Sequence, residues 1–385
     1  MVPMKSKTPI VDELCKGPWP SHAAELKKSK YSILMYEEAL KKKASQWRGG
    51  GYISVPGVPS GVIARASKRP DILEESSVVR IFPPPGLFFN TDLFRKLCGI
   101  IDKYSGGLIH LSATTSDMEL IEVPHDKIGD MVKEVEAMGM DVGSTDVTLR
   151  TVKACIGPAR CDVAVFDTVG FRQAFTEHFL DDMQYPRFPH KIKTKAAGCP
   201  NDCVFGAHKA EIFVAGVFRD APKVNQEKLA DWVEKGGDIE YICSRCPGQA
   251  MTWENGKLDI DNDKCLHCMY CINRCPAIRP GDDRGAAILV GGKYRSKYGP
   301  TLAKVLIPFV EANPPEYKEI LDIIQKIVDV YDEHSLSKER MGEFLYRIGF
   351  DKFMELMGLE ATAHNFAQPR ENLFYHWTKE ELGGE

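Results

Sequence analysis

Ten of the twelve cysteines fall in three groups between residues 155 and 275; only Cys15 and Cys98 stand alone. The opening stretch, MVPMKSKTPIVDELCKGPWP, has no apolar signal core, so the expected location is the reducing cytoplasm. There, clustered cysteines bind metal or do redox chemistry more often than they pair as disulfides. The densest group reads Cys265-x2-Cys268-x2-Cys271-x3-Cys275-Pro276. That is the bacterial ferredoxin spacing for a [4Fe–4S] cluster, in which a tight loop offers three thiolates to three corners of a cube. The fourth thiolate comes from elsewhere in the chain, commonly from a cysteine before proline. Cys243-x2-Cys246-Pro247 supplies one, so the expected set is Cys246, Cys265, Cys268 and Cys271. Cys243 and Cys275 remain, too few for a second cluster. A zinc ribbon built on Cys243, Cys246, Cys265 and Cys268 is the alternative. It leaves Cys271 and Cys275 without a task and ignores the third x2 step.

The other four cysteines form two pairs, Cys155-x5-Cys161 and Cys199-Pro-Asn-Asp-Cys203. They fit neither zinc nor ferredoxin templates, yet four thiolates on two loops can close a cubane. The plain alternative is that they are buried cysteines. Close by runs His190-Lys191-Ile192-Lys193-Thr194-Lys195. In a strand alternate side chains share a face, so Lys191, Lys193 and Lys195 would point one way and an anion would relieve their repulsion. A solvated strand face is the alternative, since lysines are mostly exposed.

The elements that must carry these residues are read from periodicity and breakers. One or two surface helices are expected over 21–47, then turns and short strands over 48–64. A strand at Val78–Phe82 should end at Pro83-Pro84-Pro85-Gly86. Helices are expected at Leu93–Tyr104 and Lys127–Met138, flanking paired strands at Leu108–Leu111 and Met118–Val123. Further on come a helix at 168–183, strands at His190–Ala197 and Ala210–Phe218, and a helix at Gln226–Lys235. Residues 239–292 form a cysteine-rich insert. Helices follow at Ala303–Glu311, Glu316–Glu333 and Lys338–Ile348, then an extended arm over 361–385. This order implies an α+β fold rather than a doubly wound sheet.

Composition bounds the function. The chain has 385 residues, 43% of them hydrophobic, and a net charge of −4. That length suggests two or three domains, and the near-neutral charge argues against a dedicated nucleic-acid binder. No apolar run approaches the ~20 residues of a membrane span.

The Cys-x5-Cys and Cys-x3-Cys pairs together resemble the signature of sirohaem-dependent sulfite and nitrite reductases. GPWPS, KIKTKAAGCPNDC, IDNDKCLHCMYCINRCP and RGAAILVGGK resemble the alpha subunits of dissimilatory sulfite reductases, over most of the chain. The resemblance implies a helical arm over 1–50 and a nitrite/sulfite reductase ferredoxin-like half domain over 51–150. It implies a sirohaem and [4Fe–4S]-binding domain over 151–238 and 293–360, interrupted by a ferredoxin-type insert. It implies sirohaem and two [4Fe–4S] clusters per chain, one held by Cys155, Cys161, Cys199 and Cys203, with Cys203 bridging to the sirohaem iron. Arg80, Arg150, Lys191 and Lys193 match the cations around sulfite. Lys195, Thr114 and Thr115 are candidate contacts to sirohaem carboxylates, with Ser112 and Ala113 beside them. The family pairs related alpha and beta subunits, implying an α2β2 assembly in which one subunit's cations face the other's sirohaem. A small sulfur-carrier protein and an electron-donor protein are further implied partners. Three other functions share these residues: a reverse-acting enzyme of sulfur oxidation, a nitrite or assimilatory sulfite reductase, and a non-catalytic electron-transfer subunit.

Overall fold

The computed structural model describes residues 6–16, 24, 27–28, 34, 37–38, 58–59, 63–64, 76–105 and 107–366. Most of the expected helices over 21–47 and turns over 48–64, and the arm beyond 366, lie outside the described residues. The chain divides into two compact units. The first comprises Met1–Pro83, Phe89–Asp146 and Gln184–Pro186; the second comprises Pro84–Phe88, Val147–Met183 and Arg187–Glu385.

The first unit begins with helix α1 (Pro9–Lys16) and centres on a four-stranded antiparallel sheet. Its strands β1 (Ile63–Ala64), β2 (Ser76–Ile81), β3 (Ile109–Leu111) and β4 (Met118–Pro124) lie in the order β1-β2-β4-β3. Helices α2 (Thr91–Tyr104) and α3 (Ile128–Glu136) pack on it. The Asn90 side chain starts α2 by accepting from the backbone N–H of Leu93 at 2.8 Å, an ordinary N-cap. Leu97, Ile100, Ile101 and Tyr104 recur at helical spacing and are buried with Ile128, Met131, Val132 and Val135 of α3. Both stripes close over Val79, Ile81, Met118 and Leu120, which alternate along β2 and β4.

The second unit is built on a five-stranded mixed sheet. It contains β5 (Lys153–Ala154), helix α4 (Thr168–His178), helix α5 (Leu180–Gln184), which runs into the first unit's Gln184, β6 (Thr194–Ala197), the short helix α6 (Gly206–Lys209) and β7 (Ile212–Phe218). The chain then leaves the sheet through β8 (Lys223–Val224), α7 (Gln226–Glu234), α8 (Ile239–Ser244), β9 (Met251–Glu254), β10 (Lys257–Ile260), α9 (Tyr270–Arg274) and β11 (Ile278–Arg279). It returns as β12 (Arg284–Val290), β13 (Lys293–Ser296), β14 (Gly299–Thr301) and β15 (Lys304–Val310). Helices α10 (Lys318–His334), α11 (Met341–Ile348), α12 (Phe350–Met357) and α13 (Ala363–Phe366) follow. The sheet order is β15-β12-β7-β6-β5, with β5, β6 and β7 parallel and β12 and β15 antiparallel to their neighbours. Leu229, Ile239, Ile242, Leu258, Met269, Ile272 and Ile278 of the excursion from 223 to 279 share one core with Val165, Cys199 and Phe218 of the sheet region. The expected insert, 239–292, takes in β12, which is an interior strand of the large sheet.

Three expectations are corrected. Ala303–Glu311 is not a helix but strand β15. Val305, Ile307, Phe309 and Val310 favour a strand, and Pro308 has no N–H for a helix interior. Pro308 sits in a bulge, since Ile307 and Val310 pair with Ile288 and Ala286, and β15 is an edge strand, where proline is tolerated. The expected strand His190–Ala197 is regular only over Thr194–Ala197, although Ile192 bridges to Leu149. The helix expected over 168–183 divides at Phe179 into α4 and α5.

Candidate iron–sulfur and anion-binding site

Two parallel strands deliver the first set of thiols. Cys155 follows β5, Cys199 follows β6, and the β5–β6 register pairs Lys153 with Lys195 and Ala154 with Ala196. Loops at the carboxyl ends of neighbouring parallel strands are the usual place for ligand sites in such sheets. The Gly198 N–H donates to Cys155 Sγ at 3.1 Å. Asp202, at positive φ, turns the chain so that its carboxylate accepts from the N–H groups of Gly206 (2.6 Å) and Ala207 (3.0 Å). Burial pushes the Cys199 thiol up, and the neighbouring Cys161, Cys203 and Cys155 push it the same way. Cys203 is raised by burial and then by Cys155 and Cys161. The four thiols occupy one neighbourhood, and a multivalent iron cluster would reverse the penalty on ionising Cys199 and Cys203.

The excursion carries the second set. His267 and Met269 adopt positive φ and wrap the chain between Cys265 and Cys271. The His267 N–H donates to Cys265 Sγ and the Ala250 N–H to Cys246 Sγ, each at 3.4 Å. Such bonds to sulfur tune iron–sulfur potentials. Burial drives the Cys271 thiol up to about 12, with Cys265, Cys268 and Cys246 acting in the same direction. A cavity is lined by Cys246, Cys265, Cys268 and Cys271 with Phe218, His267 and Met269; Cys243 and Cys275 are not in its wall. His267 Nε2 is buried without a hydrogen-bond partner beside it. All the thiols are free of disulfides. Among the described residues, no three Cys, His, Asp or Glu side chains converge as they would on a single ion. A cubane spreads its four thiolates around a wider cage, so each set fits a cluster by chemistry and placement.

The cations form a third group, within the second unit. A cavity of about 250 Å³ is lined by Lys193, Lys209, Gly292, Lys293, Tyr294, Arg295 and Arg340. Two carboxylates brace it. Glu211, 1% exposed, accepts from the Lys193 N–H at 2.9 Å and from the Arg340 guanidinium. Glu343 accepts from Lys293 Nζ at 2.8 Å and from the Lys297 and Arg340 N–H groups. Among the described residues, five cations line the cavity and two carboxylates brace it. His190 adjoins this group: burial, then Arg340, Lys191, Lys293 and Arg150, drive its pKa down to about 3. It stays neutral at physiological pH and does not act as an imidazolium donor.

The expected residues are distributed unevenly. Lys193 lines the cationic cavity, while Arg150 and Lys191 lie near His190. Lys195 is 2% exposed and turns inward, donating to the Val204 and Phe205 carbonyls. Its contribution at this point is to fix the loop that follows Cys203. Burial, followed by Lys153 and Lys209, lowers its pKa to about 8. Arg80, Thr114 and Thr115 belong to the first unit. Arg80 pairs with Glu119 (2.8 Å) and Asp117 (3.7 Å) and donates to the Ser144 carbonyl. Thr115 is buried and donates to Asp117; Thr114 is exposed. Sequence reasoning missed His190, Lys209, Lys293, Arg295 and Arg340. The signal for two of them was the Gly291-Gly292 turn directly before Lys293 and Arg295.

The "Nitrite and sulphite reductase 4Fe-4S domain" matches residues 146–365, and the "Nitrite/Sulfite reductase ferredoxin-like half domain" matches residues 73–138. The dissimilatory-type sulfite reductase subunit alpha of Allochromatium vinosum is 31% identical, over 96% of this chain and 94% of that protein. The dissimilatory-type subunit beta of Archaeoglobus fulgidus is 30% identical, over 80% of this chain and 84% of that protein. A crystal structure of dissimilatory sulfite reductase I superposes with a TM-score of 0.81 at 30% identity, covering 99% of this chain and 97% of that one. The chain therefore belongs to the nitrite and sulphite reductase family.

Proposed function

We propose that this chain is the alpha-type subunit of a dissimilatory sulfite reductase, working in an α2β2 assembly with a beta-type partner. The observation that carries the reading is the Cys155, Cys161, Cys199 and Cys203 neighbourhood on the same sheet that presents Lys193 to a cationic cavity. Sirohaem coupled to a [4Fe–4S] cluster supplies, when bound, the iron for sulfur and the electrons for a multi-electron reduction. Cys155, Cys161, Cys199 and Cys203 would hold that cluster, with Cys203 the thiolate the resemblance assigns to link it to sirohaem. Cys246, Cys265, Cys268 and Cys271 hold the cluster that receives electrons from a donor protein.

Lys193, with Lys191 and Arg150 of the same unit, binds the sulfite dianion. Lysine contributes a mobile point charge and a proton, arginine a fixed fork of donors. The neutral His190 leaves the proton-donating task to the lysines. In the assembly these cations serve the partner's centre, so the isolated chain has no turnover. The finished sulfur leaves on a small carrier protein.

The test is the visible spectrum of the chain purified without oxygen together with its beta partner. Sirohaem bands that shift on adding sulfite are expected. Broad cluster absorption with no such bands would overturn the reductase reading and leave an electron-transfer subunit.

A further inference from the structure

The loops bearing the two thiol sets are tied together by a pair of side chains that neither set uses. Asn201 sits between Cys199 and Cys203; Asn273 sits on α9 between Cys271 and Cys275. Asn201 Nδ2 donates to Asn273 Oδ1 at 3.0 Å, and Asn273 Nδ2 donates back to Asn201 Oδ1 at 2.7 Å. The two residues are 72 positions apart, so this contact is tertiary and not local turn chemistry. A reciprocal amide pair is directional: it fixes separation and orientation together, which a lone contact does not. A second observation points the same way. Cys199 is buried in the same apolar cluster as Met269, Ile272 and Cys275, with Cys271 packed against it. The loops therefore share an apolar floor and a polar clasp.

Both amides are at the surface, where exchanging bonds with water costs little and the net gain per bond is small. The stability the clasp adds is small, whereas its geometric effect falls directly between the two loops. We propose that Asn201 and Asn273 are a positioning pair that sets the spacing of the two iron–sulfur loops and thereby the rate of electron passage between them. This rests on the reading that each loop carries a cluster. With both clusters bound, the loops would hold them for a one-electron transfer from the α9 side to the Cys199 side, in which no bond is made or broken.

The experiment uses the complete assembly, purified without oxygen. Asn201→Ala, Asn273→Ala and the double variant are compared with wild type by iron content, by the magnetic interaction between the two reduced clusters, and by the rate of electron equilibration after pulsed reduction. Iron content should be unchanged. The magnetic splitting should weaken and equilibration should slow by up to about tenfold, the factor that corresponds to about 1.4 kcal/mol. The double variant should be no slower than the singles, because one interaction has been removed in each case. Asn273→Asp keeps the shape of the side chain but loses a donor and sets a carboxylate oxygen against the Asn201 carbonyl; the same slowing is expected if alanine disturbs α9. Unchanged splitting and rate in the single variants would overturn the proposal. Loss of iron in them would overturn it too, by making the pair part of a cluster cradle. A wild-type spectrum with fewer than two clusters would instead defeat the two-cluster reading beneath it.

Discussion

Cys246 and Cys275 flank the same loop and both precede proline, yet their surroundings separate them. Cys246 lines the cavity with Cys265, Cys268 and Cys271, whereas Cys275 is 1% exposed and packs in the apolar core. Cys246→Ser should therefore strip one cluster's iron. Cys275→Ser should keep the iron and cost about 1–3 kcal/mol for a buried hydroxyl. Iron analysis and a urea titration of each variant check both outcomes, and the reverse pattern of iron loss would show that the fourth ligand is Cys275. Lys193→Ala removes a cation from the cavity wall without touching either thiol set. It should lower sulfite turnover by roughly a hundredfold, the scale of losing one charge-stabilising donor, with iron content intact. At this scale the cysteines were legible because their spacing is itself a chemical constraint. Arg340 and Lys209 were not, because nothing local marks them. They meet Lys193 only after α6, β13 and the approach to α11 have been placed around the large sheet.

Element by element, legibility follows how far tertiary packing overrides local preference. Helices α2, α3 and α10 were readable from apolar stripes and a cap, signals that lie within one stretch of chain. Strand β15 was misread although Pro308 and its β-branched neighbours were visible, because a short apolar run fits either period. Its pairing partner, β12, lies on the far side of a long excursion and is out of reach of any sequence window. Strand β7 shows what an element must give up to place the site. Gly216 lies directly beneath Gly198, the residue before Cys199, and a Cβ there would fall 2.4 Å from the Gly198 carbonyl oxygen and 2.7 Å from Phe166 Cβ. Backbone cannot yield as a flexible side chain does, so β7 or the Cys199 loop must shift. Gly216→Ala should destabilise the fold by about 1–3 kcal/mol, as overpacking does, and lower iron occupancy along with it. A urea midpoint and an iron assay on one preparation would check this; full stability and full iron together would refute it.

Across the whole molecule, the groups that build the cationic cavity also set its limit in acid. Among the described residues, no helix is long and apolar enough to cross a membrane. Burial alone would raise Glu343, but hydrogen bonds from Lys293, the Lys297 N–H and the Arg340 N–H hold it at about 2. Burial likewise acts upward on Glu339, and a two-pronged bond from Arg347 (2.8 Å on each prong) keeps it below the usual carboxylate range. Both carboxylates have a folded pKa below the unfolded one. Their stabilisation is complete above about 4.5 and is lost as pH falls, for Glu343 down through about 2. His190 gives the same sign by a different route. Burial and four cations hold it neutral down to about 3, while the unfolded imidazole takes a proton near 6.5. Its contribution is present above about 6.5 and drains as pH falls toward 3. Each group lowers stability by at most about 1.4 kcal/mol per pH unit inside its window. The expected profile is therefore two-stage: a gentle loss from pH 6.5 downward, set by His190, and a steeper one below 4.5 when the glutamates join. Urea midpoints measured from pH 7.5 to pH 3 would show it. His190→Gln should flatten the upper stage and leave the lower one, and Glu343→Gln should shallow only the lower. A wild-type profile that is flat between pH 6.5 and 4.5 would mean that His190 is not held neutral by this cationic wall, and the assignment of the proton-donating task to the lysines would go with it.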